Sequence, residues 1–218
     1  MCFSANASFV AGASLVVLGM VTLQRAPAYT RAFAAIPLLF GVQQCLEGLV
    51  WLSLADPPRG DGAAPALLYS LFSHVLWPMF LPFAVRRMEP VPWRRRAVMA
   101  TQACGVAVGL FFLAAFVVSP PTARLLGGHV DYESVYPQVA VGMALYLFAT
   151  CLPSLLSSHP VVRLFGVLSA ASFGLVYLIS LETLVSVWCF FAAMLSVVVA
   201  LHVRVQRRSA LAVAAATG

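Results

Sequence analysis

Lysine is absent from this 218-residue chain, and acidic side chains number only seven. All 13 basic residues are arginine, and charged residues make up 9% of the sequence, against roughly a quarter in an ordinary soluble domain. So little charge cannot cover the surface of a water-soluble fold of this length, and soluble globular architectures are excluded. With 62% hydrophobic residues and a mean hydropathy of +0.95, the chain reads as one whose solvent is lipid.

Other absences narrow the chemistry. The five cysteines, Cys2, Cys45, Cys104, Cys151 and Cys189, form no CxxC pair and no even framework, which excludes a zinc knuckle and a disulfide scaffold. There is no Walker motif, no GxSxG elbow and no HExxH pair, so nucleotide hydrolysis, serine hydrolysis and zincin-type proteolysis have no support. A haem b held by two axial histidines needs both at matched depth in a bundle, and no other histidine falls at the level of His74. The arginines lie between apolar runs, where they act as topology signals rather than as a nucleic-acid surface.

What is present is a series of apolar runs, each near the ~20 residues a helix needs to cross a bilayer. Seven are visible: Ser8 to Leu23, Phe33 to Leu54, Ala66 to Val85, Val98 to Val118, Pro137 to Leu156, Val161 to Ile179 and Leu184 to Val203. No positive charge precedes the first, so it reads as a retained helix rather than a cleaved signal. Eleven of the 13 arginines flank the connections after the first, third and fifth runs or lie in the C-terminal tail. The alternate connections hold only Arg59 and Arg124, and collect Asp56, Asp61, Asp131, Glu133 and Glu182. Because cytoplasmic loops are arginine-rich, this alternation predicts an external N-terminus, a cytoplasmic C-terminus and an odd number of spans. The expected fold is therefore all-α: a polytopic membrane protein with one seven-helix domain over residues 1–208 and a flexible cytoplasmic tail at 209–218. The long external connection, Ser119 to Tyr136, is expected to form a lid or short interfacial helix.

Strongly polar side chains inside a span are costly, and each is a functional hypothesis. Glu47 lies in the second run and His74 in the third, and at about 1.5 Å rise per residue both fall roughly 10 to 13 Å below the external surface. Gln43, Gln44, Glu47 and Trp51 share one face by i, i+3, i+4 spacing, as do Ser70, Ser73, His74 and Trp77, and the two faces are expected to look at each other. Pro78 and Pro82 should bend the third helix beside the histidine. Cys2 precedes the first run on the same side and can fold back toward the bundle, while Glu182, Ser186, Trp188 and Cys189 approach from that side too. Trp51 and Trp188 read first as aromatic-belt residues.

Cys2, Glu47 and His74 together form a ligand set for zinc or another transition metal, with a fourth position left for water. A hydrogen-bonded structural lock and a proton or substrate relay through Glu47 and His74 are equally open readings of the same residues. As an enzyme the protein would be a metal-dependent hydrolase or hydratase acting on a lipid or small neutral substrate, with Glu47 and His74 catalytic or Glu47 the general base. The alternative is a non-enzymatic carrier, sensor or assembly protein, with Glu47 and His74 as a structural or proton-responsive lock. Oligomeric state is not encoded in any pattern.

The opening Met1-Cys2-Phe3-Ser4-Ala5, the QQxxEGxxW segment at Gln43 to Trp51 and the Trp188-Cys189-Phe190-Phe191-Ala192-Ala193 segment resemble a family of uncharacterised bacterial integral membrane proteins. The resemblance spans most of the chain, places it in the bacterial inner membrane as a multi-pass protein, and implies no activity. More loosely, the chain is similar in design to the seven-helix membrane hydrolases that include alkaline ceramidases and the progestin and adipoQ receptors. It lacks their paired HxxxH in the last span, and only the idea of an intramembrane zinc carries over.

Overall fold

The computed structural model describes residues 4–55, 62–126, 128–133, 139–179 and 184–217. Six helices among them are long and apolar enough to cross a membrane, and a shorter apolar helix covers Val141–Leu156. The bundle is built around the second and third spans, Arg31–Ser53 and Ala63–Met88, whose apolar windows are 61% and 56% buried against 22% for the first.

Helix α1 (Ala5–Arg25) starts at Ser4, whose hydroxyl accepts the Ala7 N–H at 3.2 Å and satisfies one orphan donor of the first turn. Its buried positions Ser8, Gly12, Leu15, Gly19 and Thr22 make a stripe of mostly small residues. With no large side chains between them, the backbone of α1 lies directly on α3 (Ile36–Ser53), which follows the single turn α2 (Arg31–Ala34). A Cβ at Gly12 would sit 2.6 Å from Cys45 Sγ, so only glycine fits.

The third span is a composite of α4 (Ala63–Ser70), a π-helical turn over Leu71–Leu76, and α5 (Trp77–Met88). Helix α6 (Pro92–Val118) packs on it through Gly105 and Gly109, a small-xxx-small pair. The main core gathers Phe33, Ile36 and Phe40 of the second span, Trp77, Leu81 and Val85 of the third, and Val98, Phe165 and Val199 of later helices. Helix α7 (Val139–Thr150) gives way at Cys151 to the short α8 (Leu152–Leu156), where Pro153 cannot donate the helical hydrogen bond. Helices α9 (Pro160–Ile179), α10 (Leu184–Met194) and α11 (Ser196–Thr217) complete the chain. Helix α11 continues through Thr217, into the segment read from sequence as a flexible tail.

The described part of the connection after α6 is not a helix: it forms an antiparallel hairpin, β1 (Thr122–Leu126) with β2 (His129–Glu133), added to a mostly helical fold. Between the strands Gly128 takes a positive φ of 80°, and the pairing register sets Arg124 against Asp131. Arg124 binds Asp131 at 2.9 Å and Glu133 at 2.7 Å, while Val130 and Tyr132 on β2 pack on Val50 and Ala66 at one end of the second and third spans.

The opposite end is held by Glu89, at the end of α5, which accepts the Ser158 N–H at 2.7 Å, the Val91 N–H at 3.1 Å and the Ser157 hydroxyl at 3.3 Å. Burial alone would raise its carboxyl pKa, but these donors win and hold it below the usual carboxylate range. Arg94 donates to the Leu156 and Ser157 carbonyls at 2.9 and 3.1 Å, satisfying orphan acceptors where α8 ends. His159 binds the Met88 carbonyl and meets the His202 ring edge-on at 5.7 Å, so these two histidines join each other, away from His74.

A Cβ at Gly105 would overlap the carbonyl oxygen of Pro78, which the surrounding backbone cannot move, whereas a Cβ at Gly174 meets nothing within 4 Å. Gly105→Ala should therefore destabilise the detergent-solubilised protein by about 1 to 3 kcal/mol, outweighing the ~1 kcal/mol helix-propensity gain of alanine. Gly174→Ala should leave the thermal midpoint unchanged or raise it. Equal midpoints for the two variants would contradict the close approach of α6 to Pro78.

Candidate functional site

The polar faces predicted on the second and third spans do meet, through Gln43 and Trp77. Trp77 Nε1 donates to Gln43 Oε1 at 2.7 Å, and the Trp77 ring stacks on Phe40 at 4.0 Å. The buried Cys189 thiol lies close to the side chains of Gln43 and Tyr69, with Glu47 near enough to act on it electrostatically. Glu47 is fully buried and accepts from Gln44 Nε2 at 3.4 Å. Gln43, Gln44, Glu47, Tyr69 and Cys189 thus form one buried polar cluster, roofed by the hairpin, whose Tyr132 ring lies flat on Tyr69 at 4.4 Å.

His74 has described surroundings of its own. Its Nδ1 meets Ser73 Oγ at 2.8 Å, and its ring is boxed by Phe112, Phe116 and Tyr146 at centroid distances of 5.0, 5.6 and 6.5 Å. The described contacts of the His74 ring are with α6 and α7 rather than with the second span its sequence spacing pointed to, and the π turn accounts for that direction. Spacing rules that place Ser73, His74 and Trp77 on one face assume 3.6 residues per turn. Over Leu71–Leu76 the turn is wider, so His74 is directed to α6 while Trp77 keeps its aim at Gln43.

The wide turn has a hydrogen-bonding consequence. The Trp77 N–H reaches back five residues to the Phe72 carbonyl. The next rung would join the N–H of residue 78 to the Ser73 carbonyl, but residue 78 is proline and has none. The Tyr146 hydroxyl of α7 fills the place, donating to the Ser73 carbonyl at 2.5 Å. Tyr146 also packs edge-on against Trp188, at 5.7 Å, whose indole N–H donates to the Ser169 carbonyl at 3.1 Å. Trp188 is therefore buried in the bundle and not a belt residue as its position suggested. Tyr146, Trp77, Trp188, Cys189 and Ser169 border a cavity of about 30 Å³, room for one or two waters.

Of the three predicted ligands, Glu47 and His74 are both buried, and Cys2 lies outside the described residues, as does Glu182. Among the described residues no three His, Cys, Asp or Glu side chains converge as a metal site. Sequence reasoning missed Tyr69 and Tyr146 altogether, although a tyrosine inside an apolar span is a usable signal, since its hydroxyl needs a partner there.

Over residues 1–216 the chain matches the model of a family of unknown function, DUF6629. The chain belongs to that family. No curated protein and no solved structure matches it.

If Tyr146 replaces the missing N–H of residue 78, its deletion should depend on what residue 78 is. Tyr146→Phe should cost about 1 kcal/mol of stability in the native background and clearly less in Pro78→Ala, where an amide can compete for the same carbonyl. Thermal unfolding of the four proteins of this cycle in one detergent measures the coupling. The same cost in both backgrounds would refute the substitution of hydroxyl for amide.

Proposed function

We propose that this is a seven-span bacterial inner-membrane protein, N-terminus outside and C-terminus cytoplasmic, that works as a non-enzymatic carrier, sensor or assembly protein with a proton-responsive lock in its outer half. The observation that carries the reading is the enclosure of Glu47, fully buried beside Gln44 and within reach of the Cys189 thiol, under the Tyr69–Tyr132 stack. Desolvation makes the ionised carboxylate costly, so gain or loss of one proton changes which hydrogen bonds the cluster can make.

A second reading is a metal-dependent hydrolase or hydratase acting on a lipid or small neutral substrate. It is favoured by the Ser73 contact to His74 Nδ1, which fixes one ring nitrogen and leaves Nε2 for zinc or another transition metal alongside Glu47 and Cys2. Elemental analysis of purified protein separates the two readings: near-stoichiometric metal, lost in His74→Ala, supports the enzyme, and metal-free protein supports the lock.

Glu47→Gln retains hydrogen bonding but not charge. For a lock that must titrate, the variant should melt normally yet lose the pH dependence of its thermal midpoint, and Glu47→Leu should lose about a further 1 kcal/mol. An unchanged pH profile in Glu47→Gln would reject the titrating role. Orientation is checked in a background without native cysteines. Leu125→Cys on β1 should react with an impermeant thiol reagent outside intact cells, and Pro90→Cys between α5 and α6 should not. The reverse pattern would overturn the topology.

A further inference from the structure

The acids of the described residues are all accounted for away from one group of arginines. Glu47 lies in the buried cluster, Glu89 is filled by amide and hydroxyl donors, and Asp131 and Glu133 bind Arg124. Arg25 at the end of α1 and Arg204 and Arg207 on α11 meet none of them, yet they converge at one end of a crevice of about 470 Å³ between the two helices. Apart from Thr22, whose hydroxyl is taken up by the Leu18 carbonyl, the rest of the crevice is apolar: Leu18 and Val21 form one wall and Val197 and Leu201 the other. Val21, Val197 and Leu201 are 37%, 49% and 51% exposed, so this groove opens sideways, toward the hydrocarbon in which these spans sit. Both helices end on the same side, which puts the arginines at the headgroup level and the apolar walls a turn or more deeper.

We infer that the α1–α11 crevice binds an anionic phospholipid, with its phosphate at Arg25, Arg204 and Arg207 and an acyl chain along the apolar walls. Guanidinium groups suit this ligand because their fork of N–H donors matches two phosphate oxygens at once. A basic pocket between helices at the cytoplasmic headgroup level is where anionic lipids concentrate. A free phosphate would use the arginines alone, and nothing in its chemistry uses the groove of Leu18, Val21, Val197 and Leu201. The other arginine-lined recess, formed by Arg86, Arg87, Arg95 and Arg96 with Tyr29 and Met99, lacks such a groove and serves as the comparison.

The test is native mass spectrometry of the full chain in a neutral detergent, titrated separately with phosphatidylglycerol, phosphatidylcholine and inorganic phosphate. Phosphatidylglycerol should bind most tightly. At about five-fold per arginine near an anionic ligand, Arg204→Gln/Arg207→Gln should weaken it about thirty-fold, while Arg204→Lys/Arg207→Lys keeps most of the affinity. Leu201→Trp fills the groove without touching the charge and should weaken the lipid several-fold while leaving inorganic phosphate binding unchanged. Arg95→Gln/Arg96→Gln should leave phosphatidylglycerol binding within a few-fold of wild type. The altered side chains face outward, and circular dichroism with a thermal melt establishes that each variant is folded. Equal binding of phosphatidylcholine, no effect of the Arg204 and Arg207 changes, an equal loss in the Arg95 and Arg96 variant, or displacement of lipid by inorganic phosphate through the arginines alone would each overturn the assignment.

Discussion

A carbonyl with no amide to bind it, in a solvent that offers no hydrogen bonds, sets the arrangement of the third span and of what surrounds it. The π turn sends the Trp77 N–H to Phe72, Pro78 contributes no donor, and the Ser73 oxygen must find one from another helix. Tyr146 answers that need, which fixes α7 beside the turn. The same widening aims His74 at Phe112 and Phe116 and leaves Trp77 to hold Gln43. Gly105 then lets α6 settle against the Pro78 carbonyl. The polar cluster is thus the downstream result of one irregular turn, and such turns are frequently retained at functional sites.

The spans were legible because each needs about 20 apolar residues and the chain supplies them between arginines and turn residues. The convergence of the second and third polar faces was legible too, since Gln43 and Trp77 each recur at helical spacing with their neighbours. What spacing alone missed was the departure from uniform 3.6-residue turns, which turns the His74 ring toward α6 and α7. Nothing local announces a π turn: Leu71-Phe72-Ser73-His74-Val75-Leu76 has the composition of any apolar helix. Trp188 was misassigned for a different reason, because its partner carbonyl at Ser169 is 19 residues away on another helix. The hairpin, by contrast, did leave a signal: two glycines between five-residue runs that alternate polar and apolar side chains. Its length and polarity were read as loop character instead.

Charge is handled differently at the two ends of the bundle. Beside the hairpin, one arginine serves two acids in a compact surface pair. At the far end Glu89 is close in sequence to five arginines, yet two backbone N–H groups and a serine hydroxyl occupy its oxygens. That choice ties the turn after α5 to the turn before α9. The positive field at that end follows from the number of arginines gathered near one acid.

The glycine stripe of α1 bears on how the protein is made. Its contact with α3 depends on backbone proximity between the first two spans alone, with Gly12 against Cys45 and Gly41 against Val16. No residue of a later helix is required for that fit. The two can therefore associate as a hairpin while the rest of the chain is still being synthesised, giving the growing bundle a finished edge before the proline-broken third span enters the bilayer and has to find Tyr146, some 70 residues further along.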